Sequence, residues 1–129
     1  RLCVNFHSCV NAPAQYAGIE ALKGDQGPVD KMMTAFDERR ALIHARLNAA
    51  PGVRCVLPKG AFYAFPNISD TGLSAKEMQD RLLNEKGVAV IAGTSFGAEG
   101  EGYVRFSYAN SLENIECAMD RFEDFLKGL

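Results

Sequence analysis

Apolar residues recur at helical spacing near both ends of the chain. Residues 12–24 are predicted to form a short helix that ends at a glycine, and residues 28–50 a long helix that opens on a proline. A last helix is predicted to start at Asn110 or Ser111. Its apolar positions follow one face and are Leu112, Ile115, Met119, Phe122 and Leu126.

A fourth helix has a well-marked start and end. Ser74 can cap the backbone N–H of Glu77, and the Glu77 carboxylate can reach back to the cap, which is the reciprocal pattern of a capping box. The helix is predicted to run to Lys86, because Gly87 can take the left-handed conformation that ends many helices.

Four short runs between these helices are typical of β-strands. They occupy residues 53–57, 61–65, 88–92 and 103–108. The turn at residues 58–60 favours a tight hairpin between the first two, and a glycine-rich loop at 93–102 separates the last two. The order of elements predicts an α+β fold, a two-layer α/β arrangement with a small, mostly antiparallel sheet packed against helices. Helices and strands do not alternate one for one, which argues against a doubly wound nucleotide-binding fold.

Composition excludes several classes of partner. The chain has 129 residues, of which 47% are hydrophobic, so it can bury the core of one domain. Its 14 basic and 16 acidic residues form no basic segment, and no apolar run reaches membrane-spanning length, so we expect neither a nucleic-acid nor a membrane partner. The four cysteines form no CxxC pair and lie at no zinc spacing from the two histidines. We expect reduced thiols, no metal and a cytoplasmic protein.

The last predicted strand carries a charge at its centre. Because side chains alternate across a strand, Val104, Phe106 and Tyr108 share the face that we assign to the core, and Arg105 lies on the opposite face. Spacing alone favours an exposed charge. The alternative is an anion site, because a guanidinium fork matches a carboxylate with two parallel hydrogen bonds, and the glycine-rich loop beside it would allow close approach.

The residues by themselves indicate no catalytic centre. None of the six lysines has the apolar setting of a Schiff-base lysine. The paired carboxylates are typical of solvated helix faces and not of an acid–base pair. We therefore assign no catalytic and no cofactor-binding residue to this chain.

Several motifs, taken together, resemble a known family. The segments "PKGAFYAFPNIS" and "LLNEKGVAVIAGTSFGAEGEGYVRFSYANSLENIECAMDRF" contain P-x-G-A-F-Y, G-V-A-V-x-x-G-x-x-F-G and V-R-F-S-Y-A in order. With "SCVNAPAQYAGIEAL" and "FDERRALIHARLNAAPGV" upstream, they resemble the C-terminal part of class I aminotransferases. These are pyridoxal-phosphate enzymes of the aspartate aminotransferase fold type, and the resemblance covers nearly the whole chain.

The resemblance implies a role for two residues and a division of the chain. In the family, the arginine of the V-R-x-S-x-A strand binds the α-carboxylate of the substrate, which here is Arg105. The aromatic residue of the G-A-F-Y stretch lies near the substrate, which makes Phe62 a second candidate. Residues 51–129 would be the small domain, and residues 1–50 the helices that connect it to a large domain.

The resemblance also implies what this chain lacks. The lysine and the other residues that hold pyridoxal phosphate belong to the large domain, and no residue here matches them. The parent would be a homodimer that transfers an amino group between an amino acid and a 2-oxo acid, and this part alone would be inactive. Two alternatives remain open: a standalone α+β module that binds or senses an amino acid through Arg105, and a purely structural or interaction domain.

Overall fold

The computed structural model of the chain describes residues 2–7 and 9–129, and within these residues it forms five α-helices and three β-strands. The helices are α1 (Leu2–His7), α2 (Ala12–Lys23), α3 (Gly27–Ala49), α4 (Ala75–Lys86) and α5 (Leu112–Lys127). The strands are β1 (Tyr63–Ala64), β2 (Ile91–Ala92) and β3 (Val104–Ser107). Between β2 and β3 the chain makes two short 3-10 turns, Gly93–Phe96 and Ala98–Gly100. Helix α1 has no counterpart among the sequence predictions.

The chain divides into two compact units within α3, between Met32 and Met33. In the first unit, the Asn11 side chain caps α2 by accepting a hydrogen bond from the backbone N–H of Ala14, at 2.8 Å. None of the residues of α2 is buried, and its apolar side chains are exposed. The second unit, Met33–Leu129, contains the sheet and the hydrophobic core.

The sheet of the second unit is antiparallel, with β3 in the centre and β1 and β2 at its sides. One face carries buried side chains, among them Ala64, Ala92, Val104 and Phe106, and these pack on the helices. The assignment of Val104, Phe106 and Tyr108 to the core is confirmed, since none is more than 4% exposed. The predicted α+β fold is therefore confirmed.

The helices of this unit bury one face each. Helix α5 buries four of its five predicted apolar positions. The exception is the first, Leu112, which is 37% exposed. The capping box of α4 is present as predicted: the Ser74 Oγ accepts from the Glu77 N–H at 3.2 Å, and the Glu77 Oε2 accepts from the Ser74 N–H at 3.1 Å. Gly87 ends α4 with φ of 66°. Among the described helices, none is long and apolar enough to cross a membrane.

The predicted strands were too long, and one of them does not form. Residues 53–57 make only an isolated bridge, between Arg54 and Asn67, so the tight hairpin at 58–60 is wrong. Instead of joining a ladder, the backbone of Cys55 hydrogen-bonds to the side chain of Asn48, with both contacts at 2.9 Å. A side chain from α3 thus takes the place of a neighbouring strand at this position.

Candidate functional site

The guanidinium of Arg105 lies between two aromatic rings. Its Cζ is 4.2 Å from the centroid of the Tyr63 ring and 4.6 Å from that of Phe96. Within residues 2–7 and 9–129, the side chain forms no hydrogen bond and no ion pair. Arg46 and Arg81, by contrast, each pair with a carboxylate. The half-buried fork of Arg105 therefore keeps its N–H donors available, while the rings restrain its position.

The pairing of the strands explains why these groups meet. Register pairs Tyr63 with Ser107 and Ile91 with Arg105, and residues paired across an antiparallel ladder share a face. Tyr63 thus lies diagonally across from Arg105 on the face opposite the helices. An arginine in the central strand cannot move far, since a ladder holds its backbone on both sides.

The glycine-rich loop carries the second ring and is folded tightly on itself. A Cβ on Gly100 would lie 2.0 Å from the carbonyl oxygen of Gly93, so only glycine permits this approach. The Glu101 carboxylate accepts hydrogen bonds from the N–H groups of Ala75, at 2.8 Å, and Gly102, at 3.1 Å. The loop is thereby tied to the start of α4. These two glycines let the loop approach its own backbone, and the loop in turn positions Phe96.

Phe62 contacts the same Tyr63 ring on which Arg105 stacks. Its ring centroid is 4.5 Å from that of Tyr63, and its side chain is 40% exposed. It lines a cavity of ≈ 290 Å³ together with Tyr108 and Phe36. The preceding residue, Ala61, has φ of 58°, and its carbonyl accepts a hydrogen bond from the Tyr108 hydroxyl at 2.9 Å. Burial raises the pKa of Tyr108, so this hydroxyl remains a donor and holds the backbone before Phe62.

No group in the described chain fits the covalent chemistry of pyridoxal phosphate. A Schiff-base lysine needs an apolar, enclosed setting, whereas five of the six lysines are exposed. The sixth, Lys86, is half-buried and hydrogen-bonds to Asp124. No group of three or more potential metal ligands occurs in the part of the chain that the structure describes. The described residues thus offer the N–H donors of Arg105 but no lysine in the setting of a Schiff base.

Sequence reasoning located Arg105 but missed the two groups that hold it. Alternation placed the arginine on the face away from the core, whereas its stacking partners come from β1 and from the loop. Register between β1 and β3 would have revealed Tyr63, but the pattern of short strands did not determine it. Phe96 is the one aromatic residue of the glycine-rich loop at 93–102, and this was the feature of the sequence that could have indicated its role.

The fold is thus a small antiparallel sheet with helices on one face. On the other face it carries an arginine that is stacked on two rings and unpaired within the described residues. The chain belongs to the class I and II aminotransferases, whose family model matches residues 4–122. The resemblance inferred from the motifs is therefore confirmed.

Individual relatives support the same assignment. The chain is 48% identical over 116 residues to the aspartate aminotransferase of Pyrococcus horikoshii, covering 88% of this chain and 30% of that protein. It is 48% identical over 115 residues to aromatic-amino-acid aminotransferase 2 of Thermococcus litoralis, covering 88% of this chain and 29% of that protein. The structure superposes on an alanine aminotransferase from Pyrococcus furiosus with a TM-score of 0.91 and 38% identity, over 97% of this chain and 32% of that one.

The chain spans about a third of the length of these relatives. It thus corresponds to a part of an aminotransferase and not to a whole one. The alternative of a standalone amino-acid-binding module is not favoured by these matches.

Proposed function

We propose that Arg105 binds the α-carboxylate of the substrate in an aminotransferase of which this chain is one part. The observation that carries this is the half-buried guanidinium, stacked between Tyr63 and Phe96 and unpaired within the described residues. A planar guanidinium can donate two parallel hydrogen bonds to a carboxylate. The two rings restrain its position, which reduces the entropy lost when it binds.

The proposed reaction is transfer of an amino group between an amino acid and a 2-oxo acid. Both substrates carry a carboxylate next to the reacting carbon, so one arginine serves both halves of the exchange. Its contribution is orientation, which holds the reacting carbon in place relative to groups outside this chain. Pyridoxal phosphate, held by the remainder of the polypeptide, would supply the electron sink.

We assign Phe62 a supporting role on the substrate side of the cleft. Its exposed ring contacts Tyr63, which itself stacks on Arg105. A bound amino acid whose carboxylate reaches Arg105 would thus extend its side chain over neighbouring aromatic surface.

The wider organisation is proposed on the same basis. Residues 51–129 would be the small domain, and residues 1–50 would connect it to a large cofactor-binding domain in a homodimeric, cytoplasmic enzyme. The exposed apolar side chains of α2 support a covering partner, and they are Tyr16, Ile19 and Leu22. The four free cysteines are consistent with a reducing compartment.

The test is Arg105→Ala in the longer polypeptide that carries this chain. A suitable substitute is a chimera in which the chain replaces the matching segment of the Pyrococcus horikoshii relative. Losing one partner of a close charge pair costs about 2–4 kcal/mol, so kcat/KM should fall about 30- to 1,000-fold. KM should rise for both the amino acid and the 2-oxo acid.

Arg81→Ala is the matched control. Arg81 also stacks on an aromatic ring, with its Cζ 5.0 Å from the centroid of Phe125, but it pairs with Glu85 on a helix. Its removal should leave kcat/KM within about twofold, because no substrate reaches it. Equal effects of the two substitutions would contradict the role proposed for Arg105.

A further inference from the structure

One exposed aromatic residue, Phe65, lies beside Arg105 on the sheet without being part of the core. The register of β1 and β3 is continued by the isolated bridge between Asn67 and Tyr103. This register places Phe65 directly opposite Arg105, on the face away from the helices. The Phe65 side chain is 40% exposed, so the packing of the core does not account for an aromatic residue at this position.

The ring of Phe65 contacts two other rings. It lies parallel to the ring of Tyr103, with the centroids 5.3 Å apart and the planes inclined by 6°. Its centroid is 6.2 Å from that of Phe96, and these two planes cross at 75°, which is an edge-to-face contact. Phe96 in turn places its ring 4.6 Å from the Cζ of Arg105. A continuous series of ring contacts therefore connects Tyr103, through Phe65 and Phe96, to the guanidinium.

The two rings that enclose the guanidinium are held in different ways. Tyr63 belongs to β1, whose pairing with β3 fixes its backbone. Phe96 lies in the glycine-rich loop, outside the ladder, and its side chain is 54% exposed. The base of this loop is held by a hydrogen bond from the Gly93 N–H to the Tyr103 carbonyl, at 2.8 Å. Among the ring pairs of the described chain, Phe96 forms only the one with Phe65, so that contact is what restrains its ring from the side.

We infer that Phe65 is a positioning residue for Arg105 and that it acts through Phe96. The inference rests on the proposed function, in which Arg105 binds the α-carboxylate of the substrate. A ring that keeps its place over the guanidinium limits the orientations of the fork before the carboxylate arrives, so less entropy is lost on binding. Without Phe65 the ring of Phe96 loses its lateral contact, and the guanidinium is restrained less.

The effect should fall on KM more than on kcat. The α-carboxylate keeps its charge throughout the transfer of the amino group, so its contact with Arg105 contributes to the ground state and the transition state alike. A change in such uniform binding alters KM and leaves kcat nearly unchanged. Because the amino acid and the 2-oxo acid both carry this carboxylate, KM should change for both substrates in the same direction.

Leucine substitutions in the longer polypeptide or the chimera test the inference, because they remove a ring and keep apolar bulk at an exposed position. Phe96→Leu should raise KM for both substrates about threefold to tenfold, the effect of losing one cation–π contact. Phe65→Leu should raise KM about two- to fivefold, because it removes only the edge-to-face contact that restrains Phe96. In both variants kcat should change by less than about twofold. Restoring a ring with Phe96→Tyr should recover most of the KM increase that Phe96→Leu causes.

Double substitutions separate positioning from a merely structural role. If Phe65 acts through Phe96, then Phe65→Leu should raise KM no further in the Phe96→Leu background. In the Arg105→Ala background, Phe65→Leu should leave kcat/KM unchanged, because the group that it positions is gone. A residue that only supports the fold would instead have the same effect in all three backgrounds.

Two outcomes would overturn the inference: an unchanged KM in Phe65→Leu, or an effect of Phe65→Leu that persists undiminished in the Arg105→Ala background. The same series distinguishes this failure from that of the proposed function. If Arg105→Ala itself left KM and kcat/KM unchanged, the proposed function would be wrong. If Arg105→Ala raised KM and Phe65→Leu did not, only the positioning role of Phe65 would be wrong.

Discussion

Replacing Asn48 with alanine tests how the chain stabilises a buried segment that joins no sheet. Cys55 is 7% exposed, and its N–H donates to the Asn48 Oδ1 at 2.9 Å. Its carbonyl accepts from the Asn48 Nδ2, also at 2.9 Å, and lies 3.1 Å from the His44 Nε2. The side chain of Asn48 therefore satisfies both backbone groups of Cys55, whereas the carbonyl alone has a second partner.

The size of the effect follows from these contacts. A buried N–H left without a partner costs about 1–3 kcal/mol, and the lost bond to the carbonyl, which His44 still contacts, adds about 0.5 kcal/mol. Alanine is the better helix former by about 0.5 kcal/mol at this last turn of α3, which offsets part of the loss. We expect a net destabilisation of about 2 kcal/mol. For a domain of this size, that lowers Tm by about 6–10 °C.

Urea and thermal unfolding of the 129-residue chain, followed by circular dichroism, measure the change. The matched control is Asn84→Ala, at an exposed position of α4 where the side chain forms no hydrogen bond within the described structure. That substitution should change the free energy of unfolding by less than about 0.5 kcal/mol. The reasoning would be refuted if both variants unfolded at the same urea concentration with the same m-value.

Two further predictions concern the cap of α4 and the loop that carries Phe96. Hydrogen bonds from the Ser74 side chain and then its backbone lower the pKa of Glu77 below its ordinary value of 4.5. The stability that this provides is present above that pH and is lost as pH falls through the folded-state pKa. Glu77→Gln should therefore make the free energy of unfolding fall less steeply as the pH is lowered. An unchanged decrease at acid pH would contradict this. Gly100→Ala should destabilise the fold by about 1–3 kcal/mol, because the added Cβ would collide with the Gly93 carbonyl. Gly60→Ala is the control, because a Cβ added there has no atom within 4 Å, and it should lower the free energy of unfolding by less in the same urea titration.

The helices were predictable because their signals are local. The capping box of Ser74 and Glu77 lies within four residues and formed as expected. The spacing of apolar positions in α5 depends only on the helical repeat, so all but Leu112 were buried as predicted. Helix α1, in contrast, was not predicted.

The strands were less predictable because pairing is not local. Residues 53–57 have the composition of a strand, but Asn48 binds the backbone of Cys55 and leaves only the single bridge of Arg54. Residues 88–90 have the alternation of a strand and face a gap instead of a partner. In both cases a neighbour decides whether a strand-like segment joins a ladder, and propensity carries no information about that neighbour.

The sequence by itself determined the fold class, the face on which Arg105 lies and, through its motifs, the family. These depend on residue periodicity and on order along the chain, which are properties of the sequence alone. Only the tertiary structure decided that Tyr63 and Phe96 enclose the guanidinium, and that Phe65 contacts Phe96. Such contacts join residues far apart in the chain, and they depend on strand register and on the course of a loop, which no local pattern specifies.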